Sequence, residues 1–252
     1  MLNGKNILIT NVTHFVGLVA SRYLTDRGAN VIVSDPTFAD ADVLAQFRAD
    51  NPDYTTLGEQ GAEAIVAAAG RVDVLVNNDA FPAIRAPVDA ADPQDMRDGL
   101  EAMVVEPFMM SGAVLPQMKE RNKGKIIFMT SASVFHGLPN YSMYVAARAA
   151  ANGIAVSLAQ EVARNNIQVN AIAPNYVENP DYFPPELLAN EEAFAKIVKN
   201  IPLGRLGKNT QKAPGREHAQ YDLRGNLCRC CLKGNGCGVG LRSEMDFVLQ
   251  EL

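Results

Sequence analysis

Ser131, Tyr144 and Arg148 follow one another with the spacing Ser-x12-Tyr-x3-Arg, and residues of these types at this spacing can take a proton from an alcohol. Residues four apart on a helix share a face, so Tyr144 and Arg148 are expected to point the same way. Ser131 ends the apolar run that starts at Lys125, which reads as a buried parallel strand. In open α/β sheets the chemistry lies beyond the carboxyl ends of such strands. A phenol ionises at a pKa of about 10, so a tyrosine base working near neutral pH needs its phenolate favoured by about 3–4 kcal/mol. A guanidinium one helical turn away can supply this, and it stays charged when desolvated. Tyr144 is therefore assigned as general base, Arg148 as the group that favours its ionised form, and Ser131 as the hydrogen-bond partner of the substrate oxygen. A tyrosine and an arginine one turn apart are common on solvated helices. The distance to Ser131 and the strand before it are what favour a site.

The stretch Thr10 to Gly17 occupies the first strand-to-helix turn, where nucleotide-binding folds place a glycine-rich phosphate loop. Glycines there let a diphosphate approach the backbone. Here Gly17 alone remains of that pattern, although Asn11 can still adopt a left-handed conformation. Phe15 places a phenyl ring where a dinucleotide would pass, so the site is expected to be closed and no cofactor is expected. Asp35 follows the second strand, where an acid can bind ribose hydroxyls, but Asp35-Pro36 is explained equally well by turn chemistry.

These residues need a scaffold of alternating strands and helices. Strands rich in Val and Ile are expected at Lys5–Thr10, Asn30–Ser34, Val72–Asn77, Gly124–Ser131 and Ile167–Ile172, with a weaker one at Tyr54–Leu57. Helical patterns lie at Phe15–Arg27, Asp40–Ala49, Glu63–Ala69, Pro93–Arg121 and Met143–Asn165. Asp92-Pro93 is a strong helix start, and Pro107 should kink the helix that follows. Repeated βαβ units of this kind give an α/β fold with a doubly wound parallel sheet. After Ile172, the Pro-, Asn- and aromatic-rich stretch to Pro185 reads as a loop over the site, followed by a helix near Glu186–Asn200. Tyr182 and Phe183 are more simply read as roofing the fold than as site residues. His14 and His136 have no ligand-like neighbours in sequence and are read as bland loop residues.

Composition narrows the function. The chain has 252 residues, 48% of them apolar, and a formal net charge of −5. This is the balance of a globular domain, and it argues against nucleic acid or an anionic membrane as partner. There is no apolar run of the roughly 18 residues needed to span a bilayer, and no basic and apolar leader at the start. A cytoplasmic location is the default expectation. The body of the domain has no cysteine, and no cluster there has metal-site spacing.

The strand-turn-helix opening, Asp73-x-Leu75-Val76-Asn77-Asn78 and the Ser131/Tyr144 spacing resemble short-chain dehydrogenases/reductases over roughly residues 1–208. Within that Rossmann-like superfamily the departures resemble halohydrin dehalogenases: Arg148 in place of Lys, Phe15 in the glycine loop, Asn78-Asp79 in place of Asn-Ala-Gly, and Pro174-Asn175-Tyr176 in place of Pro-Gly. Met103 falls where the reductases carry an Asn that continues a proton relay, and a thioether cannot relay protons. The resemblance implies dehalogenation of vicinal halohydrins to epoxides with release of halide, and the reverse opening of epoxides by small anions. It further implies a halide pocket from Phe15, Pro174, Asn175 and Tyr176, no cofactor, a small halo-alcohol or epoxide and halide as partners, and a homo-oligomer, dimer or tetramer. Two alternatives stay open: a divergent NAD(P)-dependent short-chain oxidoreductase that tolerates Phe15, and an inactive scaffold or sensor of the same fold.

Residues 209–252 differ in character. All four cysteines lie between Cys228 and Cys237, glycines crowd Gly234 to Gly240, and the spacing matches no standard zinc element. The helix and final strand expected of the family are missing there, and a shifted reading frame near residue 209 is the preferred explanation. Two parts are thus expected: a catalytic domain over 1–208 and an atypical tail.

Overall fold

The computed structural model describes residues 2–179, 181–199, 201 and 204–207, so the expectations for the tail lie outside the described residues. The sheet has six parallel strands: β1 (Asn6–Ile9), β2 (Asn30–Ser34), β3 (Thr55–Leu57), β4 (Val74–Asn77), β5 (Gly124–Met129) and β6 (Ile167–Ile172), in the order β3-β2-β1-β4-β5-β6. Helices α1 (Gly17–Thr25), α2 (Ala41–Asp50), α3 (Ala62–Ala69), α4 (Pro93–Leu100), α5 (Glu106–Glu120) and α6 (Ser142–Val162) connect them, and α7 (Pro185–Ala189) and α8 (Glu191–Val198) follow β6. This is the doubly wound α/β architecture expected. The weaker strand at Tyr54–Leu57 is real and pairs with β2.

The central strands carry near-continuous apolar runs because helices cover both faces of the sheet. Their side chains alternate between two cores. Ile7, Ile9, Val31, Val33, Val74 and Val76 pack with Val19 and Leu24 of α1. Leu8, Ile32, Leu75, Ile126 and Phe128 pack on the other face with Val114 and Met118 of α5 and Ala155 of α6. The period of two therefore sorts one hydrophobic run into two layers.

Local chemistry sets the element ends. Asp92 caps α4 by accepting the Gln94 amide at 2.8 Å, with Pro93 in the first turn. The single helix expected over Pro93–Arg121 is interrupted. Residues Glu101–Val105 form a π turn in which the Glu106 amide reaches back to the Glu101 carbonyl. Pro107 has no N–H to continue the regular ladder, and the wider turn absorbs the break. The helix expected from Phe15 begins instead at Gly17, since Phe15 has φ 50° and lies in the preceding turn. The helix expected near Glu186–Asn200 is split at Asn190, which caps α8 through the Ala193 amide at 3.0 Å.

Strand order reverses between β1 and β4, and a crevice opens at such a switch point. The segments after β1, β4, β5 and β6 all end there, bringing Thr10–Phe15, Asn78-Asp79, Ser131 and Pro174–Tyr176 to one edge. Asn78 ties two of them together: its side chain donates to the carbonyls of Asn11 (2.9 Å) and His14 (3.0 Å) and accepts the Val16 amide (3.4 Å), and its main-chain amide donates to Thr10 Oγ1 at 3.0 Å. Gly17 lets α1 press against this turn, because a Cβ there would lie 2.3 Å from the Val12 carbonyl oxygen. Gly17→Ala is therefore expected to destabilise the fold by about 1–3 kcal/mol, measured as a lowered urea midpoint with an unchanged slope.

Candidate active site

Arg148 is the least exposed charged residue of the site, at 1%, and its partners define the geometry. One guanidinium nitrogen, Nη1, donates to two main-chain carbonyls, Met129 and Asp79, each at 2.9 Å. These carbonyls come from β5 and from the turn after β4, so the side chain joins neighbouring strand ends. Nη2 donates to the Tyr182 hydroxyl at 3.0 Å. Nε is buried and has no acceptor among the described residues. Burial opposes the charge on Arg148, but the phenol groups of Tyr144 and Tyr182 outweigh it and hold its pKa above the ordinary guanidinium range. Arg148 is thus a fixed cation.

The expected pairing along α6 is present. Tyr144 and Arg148 are both buried on the same face, and the guanidinium carbon lies 5.3 Å from the Tyr144 ring centroid. Tyr144 packs with Met103, Ala147 and Tyr182. Met103 thus lines the phenol's surroundings from the π turn with an apolar side chain. Ser131 lies two residues beyond β5 and caps the short turn Ala132–Phe135, accepting the Ser133 amide at 3.2 Å through its hydroxyl oxygen. That bond leaves its O–H free to donate elsewhere.

Tyr182 is where the sequence reading needs correction. It does not merely roof the fold. Its ring makes edge contacts with both Phe15 and Tyr144 at centroid distances of 5.7 Å, and its hydroxyl accepts from Arg148. Burial pushes the Tyr182 phenol well up, Arg148 works in the opposite direction and Tyr144 adds to the rise. Tyr182 therefore keeps its proton and is unsuited to act as a base. It sits in an irregular loop, where no periodicity marks a functional position.

Phe15 faces Tyr182 and lies 5.6 Å, ring centroid to guanidinium carbon, from Arg148. The segment Pro174–Tyr176 runs beside the turn that follows Ser131. The Pro174 carbonyl accepts the Ala132 amide at 3.1 Å, and Tyr176 has φ 53°. The amides of Asn175 and Tyr176 have no acceptor among the described residues. Partly exposed amides on a left-handed turn suit a small anion. His136 bonds the Gly137 carbonyl at 2.8 Å and takes no part in the site. Among the described residues no group of three or more His, Cys, Asp or Glu side chains is placed to hold a metal.

The residues at the first turn do not fit a dinucleotide. Phe15 and Tyr182 fill the space beside Tyr144. The Phe15 amide, of the kind that would face a diphosphate, is bound by the Asp181 carboxylate at 2.6 Å. Asp35, the candidate ribose ligand, spends both oxygens locally, accepting the amide and hydroxyl of Thr13 and of Thr37 at 2.7–3.0 Å. Turn chemistry is thus its whole role here. A cavity of about 610 Å³ remains nearby, but Asp79, Glu101 and Glu106 line it, which disfavours a phosphorylated ligand.

Asp79, noted in the sequence only as part of a resemblance, is the second titratable group at the centre. One carboxylate oxygen accepts from Asn11 at 2.9 Å and Thr10 at 3.3 Å. Burial pushes its pKa up to about 7, with Glu106 adding to the rise while Arg148 and Thr10 oppose it. The folded protein then holds this proton to higher pH than the unfolded chain, where an aspartate ionises near 4. Its contribution to stability is full below about pH 4 and is lost as pH rises through about 7. Titrating urea stability from pH 4 to 8 should show a decline on the order of 3 kcal/mol from this group, and Asp79→Asn should flatten it.

A family model described as short chain dehydrogenase matches residues 5–183. A solved structure described as a dehalogenation enzyme is 47% identical, with 82% of this chain and 87% of that chain covered and a TM-score of 0.79. A halohydrin dehalogenase (HheC) bound to ethyl (2S)-oxiran-2-ylacetate is 37% identical, with 81% and 85% covered and a TM-score of 0.76. Among curated sequences, a 3-oxoacyl-[acyl-carrier-protein] reductase of Vibrio harveyi is 28% identical over 82% of this chain and 85% of its own length. The chain belongs to the short-chain dehydrogenase family, and dehalogenating enzymes stand among its structural neighbours.

Proposed function

We propose that the protein is a halohydrin dehalogenase that converts vicinal halo-alcohols to epoxides without a redox cofactor. The observation that carries this reading is the set of contacts among Phe15, Tyr182, Arg148 and Tyr144. The proton-handling groups are retained, while the chain's own aromatic rings fill the space a nicotinamide would need.

Tyr144, as phenolate, takes the proton of the substrate hydroxyl, and Ser131 donates a hydrogen bond to the same substrate oxygen. Arg148 keeps its positive charge throughout, and its unpaired Nε–H favours negative charge beside it. The freed oxygen attacks the neighbouring carbon, the carbon–halogen bond breaks, and halide leaves with the electron pair. The products are an epoxide, a halide ion and a neutral phenol that must return its proton to solvent. The departing anion comes to lie beside the Phe15 and Tyr182 rings and meets the amides of Asn175 and Tyr176 with Pro174 beside them. Such donors are already in place before charge develops, so no reorganisation is needed as the bond breaks. The reverse reaction lets a small anion in that pocket open an epoxide, with Tyr144 returning the proton.

A dinucleotide-dependent reductase is the competing reading, supported by the reductase relative at 28% identity. It requires the first turn to give way around Phe15 and Asp181 to leave the Phe15 amide. Incubation with a small bromo- or chloro-alcohol and no nicotinamide should release halide and acidify the solution. Tyr144→Phe should lower that rate by about 100- to 10,000-fold without loss of the folded circular-dichroism spectrum. Carbonyl reduction with micromolar NADH binding, and no halide release, would instead establish the reductase.

A further inference from the structure

Tyr182 reaches the site on the loop that follows β6, and its hydroxyl donates to the Phe81 carbonyl at 3.5 Å. Asn179 braces the loop from within, accepting the Tyr182 amide at 3.0 Å and donating to the Val177 carbonyl at 2.9 Å. Across the crevice, the loop's hydrogen bond to the first turn is made by Asp181, whose carboxylate accepts the Phe15 amide at 2.6 Å. The other carboxylate oxygen faces His14 Nδ1 at 3.7 Å. Phe15 has φ 50°, a backbone state that costs a bulky residue on the order of 1–3 kcal/mol and persists only where its surroundings enforce it. Asn78 secures the turn on both sides of Phe15, donating to the His14 carbonyl before it and accepting the Val16 amide after it. The amide of Phe15 itself is left to Asp181.

We propose that Asp181 is a positioning residue for dehalogenation: by holding the Phe15 amide it locks the loop to the first turn and sets the distance between the Phe15 and Tyr182 rings, which line the anion end of the pocket. In dinucleotide-binding relatives of this architecture, amides at that turn and the helix behind it serve a diphosphate. Here the chain supplies its own anion at that place, and the same bond that shapes the halide end keeps a diphosphate out. Since adjacent Tyr182 is bonded to Arg148, freeing Asp181 also loosens a partner of the guanidinium.

This inference rests on the dehalogenase reading, and the test separates the two. Chloride binding to the full chain is followed by ³⁵Cl NMR line broadening, for the unaltered protein, Asp181→Ala and Asp181→Asn. Asp181→Ala should weaken chloride about tenfold, the scale of one exposed charge-assisted hydrogen bond. Asp181→Asn keeps an oxygen that accepts the Phe15 proton, so it should restore affinity to within about twofold of the unaltered chain. Amide exchange in the unaltered protein needs no variant to fold: the Phe15 N–H should exchange about 100-fold more slowly than an unstructured amide. Unimpaired chloride binding in Asp181→Ala, or free exchange at Phe15, overturns the role of Asp181 alone. An unaltered chain that binds no chloride overturns the dehalogenase reading and this inference with it.

Discussion

A buried positive charge governs the site. Stripping a guanidinium of water is costly unless its donors are satisfied, and breaking such an arrangement typically costs several kcal/mol. Arg148 meets that demand at Nη1 and Nη2, drawing on the carbonyls of Met129 and Asp79 and on the Tyr182 hydroxyl, and leaves Nε alone without a partner among the described residues. Each of these acceptors fixes a different piece of chain: the end of β5, the turn after β4, and the loop beyond β6. The position of Tyr144, one turn earlier on α6, follows from the same anchoring. On the proposed reading, a cation held this firmly serves the proton transfer without having to move.

The aromatic side of the site follows from the same constraint. Tyr182 must come close enough to accept from Arg148, and Phe15 must leave the helix for a left-handed turn to meet it. Both rings then lie against the first turn, and Asp35 is committed to Thr13 and Thr37. Asp79 sits under Arg148 with a carboxyl that titrates near neutrality. The charge balance around the guanidinium therefore changes over the pH range where the enzyme would work.

The sheet, its helices and the shared face of Tyr144 and Arg148 on α6 could be read from sequence, because they rest on periodicity and fixed spacing. Val- and Ile-rich runs bounded by turns become strands, and residues four apart on α6 share a face. Phe15 was legible by type, since a large side chain replaces a glycine, but its positive φ and the late start of α1 were not. Pro107 announced a disturbance in the fourth crossover, while the π turn at Glu101–Val105 depends on how that helix settles over the sheet. Tyr182 was underrated because it lies in a loop whose path is decided by long-range bonds, above all Asp181 to Phe15 and Tyr182 to Arg148. The carboxyl of Asp79 gained its meaning only from burial, which a local pattern does not reveal.

The central claim is that the anion end of the pocket takes a halide where other family members would place a nicotinamide. Anomalous diffraction from crystals soaked in bromide tests it directly. The account predicts one strong peak beside the Phe15 and Tyr182 rings, within hydrogen-bond reach of the Asn175 and Tyr176 amides. A dinucleotide lying across the Thr10–Gly17 turn after soaking with NADH, with no bromide at that position, would contradict it.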